Sequence, residues 1–413
     1  MNFTDQKIIK TVDTWDKLFS SEHFEDVGNL GGIFSFRDAQ IKFSIFFPLT
    51  KGNIKEELGH DLPITDKIPN VKIFKFKNCH FNYLTYRTDN ESLKKLRETQ
   101  FDSLRIEFIN CHFEKLDLFN SDIFSKLKLT RCSFDSTVFQ NAMFNDLADF
   151  YNCYFNQKVI FHKTDFKGTT VFSASTFKQN VLFTYALIEK LIIFRGTKFD
   201  KGLDLSCAIL AGEMNPFDIG LGDFGPEIIK EKDEKEFEKR YDDCITKKGL
   251  IPIKNQRETY RILKEAFVKR EDVASSIKYK VLEKKTLLTE LVNDGFWKNF
   301  FDIGTLILNW LSNNYGKSYW RAFWFIIIFG GFFFYVSSIF SPMYYFTFNV
   351  EWETVKQGLG HFSQFLLPTH GIDYLKVNEA DVLGSKFLIF DFVGRLIVGY
   401  GIYQFIQAFR KYR

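Results

Sequence analysis

No charge of one sign dominates this sequence. Fifty-five lysines and arginines stand against 51 aspartates and glutamates, a formal net charge of +4 over 413 residues. That balance provides neither the basic footprint of a nucleic-acid binder nor an acidic tail, so no nucleic-acid partner is expected. Catalytic signatures are missing too. There is no phosphate-cradling glycine loop ending in Lys-Ser or Lys-Thr, no His-Glu-x-x-His and no Gly-x-Ser-x-Gly. The seven histidines are scattered, with no nucleophile paired to them. Neither an enzyme nor a cofactor is expected. Met1–Phe19 lacks the apolar run of a signal peptide and reads as an amphipathic helix, with Ile8, Ile9, Val12, Trp15 and Leu18 on one side. Six cysteines in so long a chain without a secretion signal do not form a disulfide framework.

Aromatic residues are abundant: 18% of the chain, with 51 phenylalanines. Much of this excess is periodic. Phe144, Phe155, Phe166, Phe177, Ile188, Phe199 and Leu210 step by eleven. Phe150, Phe161, Phe172, Phe183, Phe194 and Leu205 lie between them and also step by eleven. The combined spacing alternates five and six. Two residues before each member of the first series stands a small one: Ala142, Cys153, Thr164, Ser175, Ala186, Thr197, Ala208. Before the second series stand Ala148, Val159, Thr170, Val181, Ile192 and Leu203. Residues two apart share a face only in an extended chain. Steps of five or six scatter a stripe around a helix, which needs three and four. The pattern therefore predicts short strands with two inward side chains each, coiled into a solenoid whose equivalent residues stack about 4.8 Å apart.

Cys79, Cys111, Cys132 and Cys153 occupy the small inward slot, which predicts buried, reduced thiols. The pairs Cys79-His80 and Cys111-His112 hint at a metal. Adjacent strand residues point to opposite faces, so each cysteine turns in and each histidine out; no metal is expected.

The units Cys132-Ser133-Phe134-Asp135-Ser136, Ala142-Met143-Phe144-Asn145-Asp146 and Thr164-Asp165-Phe166-Lys167-Gly168 resemble those of the pentapeptide-repeat proteins. The resemblance covers about a third of the chain. It implies a right-handed, four-sided β-helix with one five-residue unit per side, from which this chain departs by inserting a sixth residue on alternate sides after Phe144.

Residues 1–70 are expected to cap the first coil, with strands at Ile33–Arg37 and Ile41–Phe47. The solenoid is assigned to 71–210, interrupted by a charged projection at Asp89–Gln100. Residues 211–255 are read as a linker or end cap rich in glycine and proline, followed by a charged, solvated helix at Glu227–Lys248. Residues 256–295 read as a helical hairpin, with Tyr260, Leu263 and Phe267 on one stripe and Ile277, Val281, Leu288 and Leu291 on the other.

Residues 296–413 read as a membrane domain. Tyr319–Phe340 and Phe387–Phe409 are long and apolar enough to span a bilayer. Phe296–Leu311 is shorter and interrupted, and is expected to lie in the interface. Basic residues flank the spans (Lys317, Arg321, Arg410, Lys411, Arg413), while the loop 341–386 carries Glu351, Glu353, Asp373, Glu379 and Asp381 against three lysines. The positive-inside rule then places both termini and the solenoid in the cytoplasm. Asp391 and Arg395, four apart, share a face of the second span, with Gly394 and Gly399 beside them. These four are the candidate pore or helix-contact residues. Val398-Gly399-Tyr400-Gly401 matches a potassium-filter sequence, but it sits inside a span with only twelve residues after it. Leu359–Pro368 is the better pore-loop candidate, either re-entrant or interfacial.

The arrangement also resembles a bacterial group in which pentapeptide repeats are fused to a two-helix, ion-channel-like segment. Arg257–Lys264, Asn314-Tyr315-Gly316-Lys317-Ser318, Gly394-Arg395-Leu396 and Arg410-Lys411 carry the resemblance. It implies a channel-like protein of the bacterial inner membrane. Two spans cannot enclose a pore, so this reading requires a homo-oligomer in the lipid bilayer, with the solenoid as a sensing or docking surface for a protein or ligand. The alternative is a membrane-tethered interaction scaffold without conductance. Mimicry of DNA is disfavoured, because Val71–Leu210 holds 20 basic and 15 acidic residues.

Overall fold

The computed structural model describes residues 10–27, 32–47, 54–55, 59–86, 104–222, 224, 249–343, 352–378 and 382–410. The chain forms two compact units, Met1–Ala266 and Phe267–Arg413.

Among the described residues, the first unit is a stack of short, mostly parallel strands in four sheets of nine, nine, five and three strands. The registers give the coil length. Phe144 pairs with Phe166 and Phe155 with Phe177, 22 residues on in both cases. A step of eleven is therefore half a coil, and each of the two series alternates between opposite sheets. Many of the strands are two residues long, such as Met143–Phe144 and Thr176–Phe177.

Stacking inside is ring on ring. Phe134, Phe155, Phe177 and Phe199 form one column, with centroids 4.7, 4.4 and 5.1 Å apart and planes within 18° of parallel. Phe139, Phe161 and Phe183 form a second column, Phe144 and Phe166 a third, and Phe150, Phe172 and Phe194 a fourth. All ten phenylalanines assigned to the core are buried. The small slot carries hydrogen bonds as well as volume. Thr164, Ser175 and Thr197 donate their hydroxyls to the carbonyls of Phe139, Phe150 and Phe172 in the preceding coil, at 2.6–2.7 Å. These bonds explain the hydroxyls in a buried slot, where an unpaired one is costly.

Cys79, Cys111, Cys132 and Cys153 are buried in the same slot, and His80 and His112 face outward with Glu114 and Asp135. Burial pushes the Cys79, Cys111 and Cys132 thiols well above their ordinary range. Maleimide is expected to leave Cys111, Cys132 and Cys153 unmodified until the protein is denatured; rapid labelling of the native protein by mass spectrometry would show that the register is wrong.

Coil corners turn through left-handed backbone. Asn78, Asn110, Arg131, Asn152, Ala174 and Gly196 fall on one line, at φ between 53° and 64°. Asparagine suits this conformation, and the side chain of Asn110 donates to Asn78, which donates to Asp38. Arg131 adopts φ 56° with an exposed side chain. Arg131→Gly removes that strain and is expected to raise stability by about 1 kcal/mol, read as a higher thermal midpoint.

The stack extends on both sides of 71–210. Ile33–Arg37 pairs in register with Ile73–Lys77, forty residues on, and Ala39–Phe47 pairs with His80–Tyr86. These strands form a coil of their own, and the added chain between them and the next coil hides the period. Phe24–Asp26 adds antiparallel to Ile33–Arg37. Of the amphipathic helix expected over Met1–Phe19, residues 1–9 lie outside the described residues; beyond them Lys10–Val12 is a strand and Trp15–Leu18 one helical turn, and Trp15 and Leu18 are buried. Downstream, Glu213–Asn215 and Gly220–Leu221 add further strands. The glycines there serve close packing: a Cβ on Gly212 or Gly222 would collide with the carbonyls of Lys190 or Asp200 in the coil before. The charged projection and the solvated helix lie outside the described residues.

One sheet has an apolar outer face. Ile160 and Leu182 point away from the core and are covered by Ile251 and Phe224. The chain continues into α1 (Ile253–Lys269). There Asn255 donates to the buried Asp204 at 2.9 Å, and Thr259 Oγ1 accepts from the Leu205 amide.

The second unit is helical. Asp272 caps α2 (Val273–Gly295) through the Ser275 amide. Phe267 stacks on Tyr279. Next come α3 (Phe300–Asn313), α4 (Tyr319–Ile339), α5 (Trp352–Phe365), a 3-10 turn (Ile372–Leu375) and α6 (Ser385–Phe409). α4 and α6 are long and apolar enough to cross a membrane.

Candidate functional site

α4 and α6 pair along their length. Tyr319 lies beside Phe409, Phe325 beside Tyr400 and Phe340 beside Phe390, so the two run antiparallel. Glycines set the approach. A methyl group on Gly401 would strike Ile326, and one on Gly330 would press on Val398.

The segment between them does not stay at one end of this pair. Phe362 and Phe365 of α5 both pack on Phe334, at 5.6 and 5.7 Å. Leu366 lies against Gly330, Phe365 against Gly394, and Pro368 against Gly399. Gly330 is the twelfth of 21 residues in α4 and Gly399 the fifteenth of 25 in α6. At 1.5 Å per residue, Pro368 stands about 21 Å along α6 from its start. α5 thus runs down to the middle of the helix pair, Pro368 marks the apex, and the chain returns toward Leu375, which packs with Leu383 and Phe387. Relative to α4 and α6 the segment is re-entrant. Leu359–Pro368 was a candidate for this place, and α5 extends it upstream to Trp352.

Asp391 and Arg395 fasten the returning limb. Asp391 is buried at 3% exposure. Its Oδ1 accepts from Nε2 of His370 at 3.1 Å and from the Tyr374 phenol at 3.2 Å. Its Oδ2 accepts from Nε of Arg395 at 2.7 Å, and Nη2 of the same guanidinium lies 2.6 Å away. Arg395 Nη1 also donates to the His370 carbonyl at 2.9 Å. His370 Nδ1 lies 2.7 Å from the Leu367 carbonyl. Both ring nitrogens of His370 thus face oxygen atoms. A carboxylate with three donors can sit in an apolar helix that would otherwise exclude it. The sequence marked Asp391, Arg395, Gly394 and Gly399 as one group. All four contact the re-entrant segment or each other. His370 and Tyr374 were missed. The available signal was a carboxylate inside an apolar run, which demands donors from elsewhere in the fold.

A second polar network joins α3 to the other end of α6. The Asn313 amide donates to the Gln404 carbonyl at 3.1 Å and to the Gln404 side-chain oxygen. Gln404 donates to Asn309 at 3.2 Å. Asn314, Tyr315 and Gly316 all have positive φ, and the Gly316 amide donates to Asn313 Oδ1 at 2.8 Å, so the chain reverses within three residues into α4. The face of α3 opposite Asn309 and Asn313 is open and apolar, with Phe300, Ile307 and Leu311 exposed; Trp297 in the turn before α3 and Phe301 at its start are 84% and 85% exposed. Val398-Gly399-Tyr400-Gly401 is α-helical, which leaves its backbone carbonyls in helix bonds.

No family model matches the chain, and no curated protein or solved structure does either.

Proposed function

We propose that this chain is a membrane protein of the pentapeptide-repeat kind. Its solenoid is a right-handed, four-sided β-helix, and its second unit assembles as a homo-oligomeric ion channel. The observation that carries this reading is the re-entrant segment. A chain that descends against a pair of span-length helices, turns at mid-depth and is tied down by buried polar groups has no role in a passive anchor, for which α4 and α6 alone suffice. Non-helical backbone at that depth is tolerated where protein buries it or water lines it. Two spans per chain cannot surround a lumen, so several copies must, and a ring with its axis along the membrane normal is the simplest closed assembly.

The membrane is the bacterial inner membrane, with both termini and the solenoid cytoplasmic, by the excess of Lys and Arg beside the ends of α3, α4 and α6. The solenoid is then free to receive a cytoplasmic protein or ligand. Topology is tested with cysteines at Asp373 in the outer loop and at Arg131 in the solenoid. An impermeant maleimide added to intact spheroplasts is expected to label Asp373→Cys, and Arg131→Cys only after lysis. The reverse pattern overturns the orientation. A monomer by native mass spectrometry favours a tethered scaffold.

A further inference from the structure

We infer that the ion path is lined by the open face of the re-entrant segment, Gln357, Gly360, Ser363 and Gln364 on α5 with Thr369 after the apex, and not by α6. This inference rests on the channel reading. α5 has two unlike faces. Phe362, Phe365 and Leu366 turn toward α4 and α6. Opposite them, at helical spacing, lie Glu353, Lys356, Gln357, Gly360, Ser363 and Gln364, all exposed. Glu353 and Lys356 pair at 2.9 Å, and Ser363 donates to the Gly360 carbonyl of its own helix.

Depth makes that face informative. Ser363, Gln364 and Thr369 bracket Phe365–Pro368, the stretch that rests on Gly330, Gly394 and Gly399. They therefore lie near the middle of an apolar layer about 30 Å thick. Ser363 has its own helix carbonyl, but an exposed amide such as Gln357 or Gln364, or the Thr369 hydroxyl, is costly to leave in hydrocarbon without a partner. Such a face needs water or polar groups from a second copy, and an aqueous axis between symmetric copies supplies both. On α6 the exposed side is apolar, with Ile389, Phe392 and Leu396, and its polar and glycine positions are covered. Asp391 is enclosed by Arg395, His370 and Tyr374, and Gly394 and Gly399 are covered by Phe365 and Pro368. Beyond the Glu353–Lys356 pair the stripe is uncharged, so it presents small ions with a hydrated, neutral path.

The test uses the full-length protein in planar bilayers and a cationic methanethiosulfonate as probe. The current through Ser363→Cys is expected to be largely lost on modification, and Thr369→Cys serves as a second variant should the first fail to assemble. Phe392→Cys, on the exposed side of α6, and the unsubstituted protein are expected to keep their current. A current that survives at 363 and 369 but is lost on modification of Arg395→Cys moves the path to α6 and overturns the inference while the channel reading stands. No current from the unsubstituted protein overturns both.

Discussion

Asp391→Leu is expected to destabilise the helical unit by about 3–5 kcal/mol, the range for breaking one side of a buried ion pair. The carboxylate takes hydrogen bonds from Arg395, His370 and Tyr374 at 2.7–3.2 Å. Leucine fills much of the volume and suits the apolar helix, yet it leaves a guanidinium, an imidazole and a phenol without their shared acceptor. Asp391→Asn keeps one acceptor oxygen and is expected to lose less. Thermal melting of the detergent-solubilised protein reads both. In the Asp391→Leu background a cysteine at Thr369 should also react faster with maleimide, because the returning limb loses its fastening to α6. A melt equal to that of the unsubstituted protein would mean that the cluster holds nothing in place.

Phe155→Ala is expected to cost the solenoid about 3–5 kcal/mol. Phe155 is 1% exposed and lies between Phe134 at 4.7 Å and Phe177 at 4.4 Å. Removing it opens a cavity and cuts the column in two. The coils meet only their neighbours, so a defect in the middle separates the stack into two shorter ones. Limited proteolysis of the full chain should then reach the repeat region under conditions where the parent resists. Phe119, 50% exposed, provides the control, and Phe119→Ala should leave the pattern unchanged.

The middle of the solenoid was legible because its coils carry no insertions. From Phe144 to Leu210 the eleven-residue step survives intact, and both the large and the small inward positions can be read from spacing alone. Upstream the same strands are present, but forty residues separate Ile33 from Ile73 and 32 separate Ile73 from Arg105. Extra chain between equivalent strands erases the period without altering the register. At the other end, Gly212 and Gly222 resembled loop punctuation, whereas they mark where backbone passes against backbone. The outward Ile160 and Leu182 carried a readable signal. An apolar residue at the outward position of consecutive coils calls for a cover, and Ile251 supplies it from 69 residues beyond Leu182.

In the helical unit, length and apolar composition defined α4 and α6 to within two residues at each end. The course of α5 was not legible. Its inner face is three apolar residues at its end, too short a pattern to separate a helix lying on the interface from one entering between two others. What settles its course is which glycines accept Leu366, Phe365 and Pro368, and that is a property of three segments together. The Asp391 cluster was half legible. Arg395 stands four residues away on the same helix, while His370 and Tyr374 come from the limb before α6, 21 and 17 residues earlier.

Conductance tests the central claim most directly. Purified full-length protein, reconstituted into a planar lipid bilayer at known oligomeric state, is expected to produce discrete current steps from a species containing several chains. A preparation that inserts into the bilayer, is monomeric by native mass spectrometry and carries no current across a range of voltages and salts would contradict the channel reading.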